Sequence, residues 1–284
     1  MPYLDHIEAC NAHDIGKFRP FLVEGRHVGW VRHDTAELLR RFPDTLVVSD
    51  AAVSLHPRLA SADQRSAAMD AVCRTLHADC GYPRLRGERY AVMAEWGETP
   101  LLTLDRGLVS TFGVRAFGVH VNGMVRDRNG LSLWVARRAR DKAVAPGKLD
   151  NMVAGGQPAG LSLFDNLIKE AHEEADIPAD LAGKARPVGT VGYCLEDEWG
   201  LKPDTMFCFD LEVPAEFTPH PRDGEAESFS LLPVVEVARL VRDTDEFKFN
   251  VNLIVIDFLL RHGLLDPDRD PGYAALAQGL RRGW

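Results

Sequence analysis

The sequence predicts an α/β (α+β) protein in which a mixed β-sheet is packed between helices and preceded by a smaller α+β unit. Three observations carry this. Strand-like segments stand on both sides of one amphipathic helix that follows Ser162, and another helical pattern closes the chain. The pattern resets at DRGLVSTFGVRA, residues 105–116, which divides the chain into an N-terminal α+β domain at 1–112 and a second domain at 113–284. Its 284 residues, 45% hydrophobic and 26% charged, suffice for one large core or two moderate ones.

In the first unit, PFLVEGRHVGWVR reads as two short strands around a Glu-Gly turn. DTAELLRRFP opens with Asp34 and Glu37 in capping-box spacing and stops before Pro43. In SADQRSAAMDAVCRTLHADCG, Ser61 and Gln64 can cap a second helix and Gly81 follows its end. RYAVMAEWGETPLLTL reads as a further hairpin. Beyond the reset, FGVHVNGMV and LSLWVARRA alternate as strands joined by Arg-Asp-Arg-Asn-Gly. ARPVGTVGYCL and TMFCFDLEV are later strands, followed by the acidic DGEAESFSLL. NVNLIVIDFLLRHG is helical, with Asn250 as N-cap and Gly263 past its end, and YAALAQGLRR forms a last short helix.

Bulk properties narrow the function. A net charge of −9 argues against a broad nucleic-acid surface. Cys10, Cys73, Cys80, Cys194 and Cys208 form an odd set without CxxC or zinc-like spacing, so free thiols are expected rather than disulfides or zinc. MPYLDHIEACNAHD lacks the basic start and apolar run of a signal peptide, and no segment approaches the roughly 18 to 20 apolar residues of a membrane span. A reducing, cytoplasmic location is expected, with no membrane partner.

The chemistry concentrates in AGGQPAGLSLFDNLIKEAHEEADI, residues 154–177. Ser162 and Asp165 can cap a helix where the glycine loop ends. At about 100° per residue, Phe164, Leu167, Ile168, Ala171 and Ala175 share a core-facing stripe, and Glu170, Glu173 and Glu174 lie together on an adjoining face. Such a triplet reads either as a solvated face or as hard oxygen ligands for Mg²⁺ or Mn²⁺ beside a close-approaching loop.

This stretch resembles the signature box of Nudix hydrolases, which runs glycine, five residues, glutamate, seven residues, then Arg-Glu-aliphatic-any-Glu-Glu-any-Gly-aliphatic. Glu170, Glu173 and Glu174 fall on the three glutamates of its core, and Gly155 and Gly156 on its glycine pair. Lys169 replaces the arginine, Leu161 the upstream glutamate and Asp176 the late glycine, and the loop is one residue short counted from Gly156. The resemblance implies an α/β/α sandwich that cleaves a small-molecule diphosphate by water attack on phosphorus. It implies Glu170, Glu173 and Glu174 as ligands for Mg²⁺ or Mn²⁺, Glu173 and Glu174 as catalytic residues, and Gly155, Gly156 and Lys169 as substrate-binding. LDNMVAGG, DGEAESFSLLPVVEV and EFKFNVNLIVIDFLLRHG resemble the branch related to the Nudix-like domain of fungal thiamine pyrophosphokinases, which has an extra N-terminal domain. That branch implies a thiamine diphosphate-like or nucleoside diphosphate substrate.

The rival class is a Nudix-fold module that binds a nucleotide or cofactor without cleaving it, with Leu161 and Lys169 as marks of decay. RNA decapping fits the acidic chain less well. Glu225 and Glu227 are further ligand candidates or a solvated turn. Arg137, Arg138, Lys142 and Lys148 meet phosphates or solvent; Trp199 and Tyr193 stack on a heterocycle or pack internally. His172 is read as a surface residue. A homodimer is open.

Overall fold

Short-range chemistry explains how the first unit folds. The computed structural model describes residues 2–282. Helix α1 spans Pro2–Cys10. Strands β1 (Phe18–Val23) and β2 (Arg26–Arg32) meet through Glu24 and Gly25, both at positive φ (52° and 75°), the conformation a two-residue hairpin turn needs. Helix α2 covers His33–Leu39, two residues earlier than the capping-box spacing predicts. That box does not form: Asp34 lies inside the first turn and accepts from the adjacent Thr35 N–H, while Glu37 pairs with Arg19 and Arg40. Strands β3 (Leu46–Val48) and β4 (Val53–Leu55) complete a four-stranded sheet in the order β2-β1-β4-β3.

Helix α3, Ala62–Cys80, has the expected reciprocal Ser61–Gln64 capping box and ends at Gly81 with φ 73°. Its Met69, Val72, Cys73 and Leu76 enter a core running from Phe21 to Val114. Strands β5 (Arg89–Val92) and β6 (Leu102–Asp105) form the separate hairpin expected.

The second sheet has seven strands. Four enter before the next helix: β7 (Phe117–Asp127), β8 (Gly130–Arg138), β9 (Leu149–Asn151) and β10 (Val153–Gly156). Then come helices α4 (Leu163–Ala175) and α5 (Ala179–Ala182), and strands β11 (Arg186–Glu196), β12 (Leu201–Glu212) and β13 (Ala226–Pro233). The order is β11-β12-β7-β8-β13, with β10 on β7 and β9 on β8. β12 runs parallel to β7 and the other pairs are antiparallel, so the sheet is mixed as expected.

Period-two alternation gives this sheet two apolar faces. Phe209 and Leu211 of β12 join Val119, Val121 and Val153 against Leu167 and Ala171 of α4. Met206 and Cys208 face the opposite way, toward helices α6 (Val234–Asp243), α7 (Val251–Arg261) and α8 (Tyr273–Gly279). The result is an α/β/α sandwich. Helix α1, on the N-terminal side of the sequence division, places Ile7 and Cys10 in this second core, and Tyr3 donates to the Ala238 carbonyl at 2.9 Å.

A buried polar chain locks the sheet. His120 Nδ1 meets Asn151 Oδ1, Asn151 donates to Asn122, and Asn122 donates to Asp210, each at 2.9 Å; Arg261 and His262 of the C-terminal end then meet Asp210. All five cysteines are free thiols, four of them buried, as the sequence predicts. Among the described residues, no helix is long and apolar enough to cross a membrane.

Candidate active site

The glycine loop and its helix are fastened by three polar side chains. Gln157 donates its backbone N–H to the Phe117 carbonyl at 2.8 Å, and its side-chain Nε2 donates to the Leu161 carbonyl at 2.8 Å. Ser162 caps α4 by accepting the Asp165 N–H. Asn166 donates to the Gly156 carbonyl at 2.9 Å. That last bond changes the expected stripe: Leu167, Ala171 and Ala175 are buried, but Asn166 occupies the inner face of the first turn. Phe164 is therefore not in the core; it is 37% exposed and meets Phe209 edge-on at the rim.

The helix ends where the motif places a glycine. Asp176 takes the left-handed conformation (φ 52°, ψ 36°), which Asp tolerates better than most residues, so this departure keeps the backbone turn. His172 is exposed as predicted, near Arg222 and Asp176.

The three glutamates separate into two inner groups and one outer. Glu174 Oε2 accepts the Ala154 N–H of β10 at 2.8 Å. Glu170 lies one turn earlier against Gly155; a Cβ on that glycine would stand 2.6 Å from Glu170 Oε2, so only glycine lets the carboxylate lie there unshifted. Counted from Gly155, the motif's five-residue spacing to Leu161 is intact. Glu173 is more open, with its side chain 47% exposed against 14% for Glu170. Lys169 Nζ joins the two, 3.0 Å from Glu170 and 2.7 Å from Glu173. Lysine thus supplies as a point charge the restraint that a guanidinium supplies as a fork.

Burial pushes the Glu174 carboxyl well above the usual range; the Ala154 N–H opposes this, and Glu170, Asp150 and Glu225 add to it. Glu170 is also raised, first by burial, against the opposing pull of Lys169, with Glu173 and Glu88 adding to the rise. Acidic groups thus cluster along the α4–β10 edge, and burial favours their neutral form until a cation balances them. Carboxylate oxygens suit Mg²⁺ or Mn²⁺, and the open strip beside Gly155 leaves the inner acids free of side-chain cover from β10. The donor set fits a hard divalent cation. It is not a ready-made cage: among the described residues no three acids, histidines or cysteines converge on one point.

A cavity of about 20 Å³, sufficient for a water, lies between Glu174, Asp150, Arg138 and Glu225. The other charged candidates are largely engaged. Arg138 forms a buried 2.7 Å pair with Asp150, Lys142 meets Glu225 at 2.7 Å, and Arg137 and Arg140 approach Glu246 and Glu227. Lys148 donates to the Asp245 carbonyl. Tyr193 is buried with its hydroxyl on Asp204, and Trp199 packs against Tyr82 at 5.8 Å. Both aromatics are internal packing, because neighbouring rings or carboxylates already occupy them.

The chain is 38% identical over 285 residues to Nudix hydrolase 24, chloroplastic, of Arabidopsis thaliana, across 99% of this chain and 78% of that protein. It belongs to the Nudix hydrolase family. Nudix hydrolase 20, chloroplastic, of the same plant is also 38% identical, across 98% of this chain and 77% of its own. Residues 2–116 match a family described as a domain of unknown function, DUF4743. The solved structure of DR0079 from Deinococcus radiodurans covers 59% of this chain and 97% of its own at 21% identity, with a TM-score of 0.45.

Sequence reading missed Tyr90 in this Nudix hydrolase. Its ring comes from β5 of the first unit, and its hydroxyl fills the space a Cβ on Gly156 would need. A contact between residues so distant in the chain leaves no local pattern. Asn166 was more legible, as a polar residue beside an apolar stripe.

Proposed function

We propose that this Nudix hydrolase cleaves the diphosphate linkage of a small organic diphosphate, thiamine diphosphate-like or a nucleoside diphosphate derivative, and belongs to the branch related to fungal thiamine pyrophosphokinases. The carrying observation is the half-buried, acid-rich edge where Glu170 and Glu174 meet the backbone of β10 at Gly155 and Ala154. Mg²⁺ or Mn²⁺ there would supply phosphate charge neutralisation and an acidified water. Glu170, Glu173 and Glu174 would hold the cation, and Gly155 would give the phosphates access to the edge, with Gly156 shaping the loop beneath the Tyr90 hydroxyl. Glu173, the most exposed of the three acids, also stands where a base can take a proton from the attacking water. Lys169 orients Glu170 and Glu173 and presents its charge to a phosphate oxygen. Water adds to phosphorus as the bond to the bridging oxygen breaks, and the second phosphate leaves.

We further propose residues 1–112 and 113–284 as the two domains, with α1 of the first packed into the core of the second, and a reducing cytoplasmic setting, which free Cys10, Cys73, Cys80, Cys194 and Cys208 support. The test is product formation from thiamine diphosphate, nucleotide sugars, dinucleotides and capped RNA with Mg²⁺ or Mn²⁺. Cleavage of a small diphosphate is expected; binding without products would replace the hydrolase reading with a binding module.

A further inference from the structure

The first unit reaches the catalytic edge through the connection between β5 and β6. A cleft of about 160 Å³ opens there, lined by Tyr90, Met93, Trp96 and Pro100 on one side and by Phe117 and the 157–161 loop on the other. Its size is close to the ~150 Å³ that accommodates a benzene ring in an apolar protein cavity. Trp96 packs part of its ring on Phe117 and Phe207, with centroids 4.6 and 4.8 Å away, yet stays 39% exposed. Leu161, where the signature box has a glutamate, is 40% exposed at the same cleft. An exposed tryptophan and leucine lining one concave site are the apolar surface expected of a ligand subsite.

The cleft adjoins the catalytic edge across Tyr90. Tyr90 lines it and places its hydroxyl over Gly156, next to the Gly155 against which Glu170 of α4 lies. Gln157, tied to the Leu161 and Pro158 carbonyls, fixes the loop between the two regions. Arg115, which meets Glu95 at 3.4 Å, adds polar character to the rim.

We propose that this cleft holds the planar heteroaromatic half of the substrate, with Trp96 as its stacking surface and Leu161 as an apolar contact. The proposal rests on the diphosphatase reading for the identity of the other half. It gives the first unit a role as specificity wall, and gives Leu161 a reason to depart from glutamate: a carboxylate there would be desolvated against the ring.

The test compares wild type with Trp96→Ala, Trp96→Phe and Leu161→Glu, using thiamine diphosphate and ADP-ribose with Mg²⁺. Base–aromatic stacking predicts that Trp96→Ala raises KM for the preferred substrate about tenfold to a hundredfold, with kcat within about threefold. Trp96→Phe should recover most of this loss. Leu161→Glu, at an exposed position that folding tolerates, should raise KM in the same way. Unchanged KM in both Trp96→Ala and Leu161→Glu, or a fall in kcat matching the fall in kcat/KM without rescue by Trp96→Phe, would overturn the proposal. If wild type cleaves neither compound, that outcome counts against the hydrolase reading, and calorimetric binding of thiamine monophosphate and AMP tests the cleft alone. Binding weakened by Trp96→Ala supports the cleft; no binding, or equal binding, overturns it.

Discussion

Gly155→Ala asks whether the spacing between β10 and α4 is a catalytic dimension or a packing detail. Gly155 has a strand backbone rather than a positive φ, so alanine brings no conformational strain. Its Cβ would stand 2.6 Å from Glu170 Oε2 and closer still to Cγ and Cδ, so the carboxylate must retreat by about 1 Å to reach ordinary contact. A displacement of about 1 Å at a catalytic group can cost about 100-fold in rate, or about 2.7 kcal/mol of transition-state stabilisation. The stability cost should stay near the ~1 kcal/mol end of overpacking, because the obstructing group is a side chain with an open edge. The assay is kcat/KM for the best diphosphate with saturating Mg²⁺, alongside Tm. Activity within threefold of wild type would refute the claim that Glu170 must lie against Gly155.

Two further outcomes follow from buried titrating groups. Glu174 has a raised folded pKa, so without metal the fold loses stability as pH rises above the unfolded carboxyl value of about 4.3. Glu174→Gln should therefore raise Tm in EDTA at pH 8, have little effect on Tm near pH 4, and abolish turnover; a lower Tm at pH 8 would contradict the burial argument. His120 is held neutral, its pKa lowered to about 4 first by burial and then by Lys248. A base with a lowered folded pKa gives stability that is present above the unfolded value of about 6.5 and lost as pH falls toward 4. His120→Gln should flatten the loss of urea midpoint between pH 7 and pH 5 relative to wild type; parallel profiles would remove His120 as the source.

Legibility in the sequence followed the range of the determining interaction. The capping box of α3, the β7–β8 hairpin and the Ser162 cap of α4 are written in residues two to four apart, and all three form. Helix α6 was missed because VVEVARLVRD places four β-branched valines in ten residues, a strand-like composition overridden by burial of Val234, Val237 and Val241. Helix α1 was missed because its short sequence gains its burial from α6, α7 and α8, more than 220 residues later. In the site, Glu170, Glu173 and Glu174 were legible as a motif. Their division into two inner acids and one outer acid was not, since it depends on the Ala154 N–H and on the bare edge of Gly155. Tyr90 and Trp96 come from the first unit and acquire meaning only when the chain brings them to the 157–161 loop.

The most direct measurement is phosphorus-31 NMR of product formation by wild type and Glu173→Gln, each with thiamine diphosphate, ADP-ribose and a nucleotide sugar, with Mg²⁺ and then with EDTA. Wild type should cleave at least one of these only with the metal. Glu173→Gln should keep its Tm, as a half-exposed side chain allows, and lose activity by about 100-fold or more. Metal-dependent turnover that is unchanged in Glu173→Gln would contradict the assignment of this helix edge as the catalytic centre.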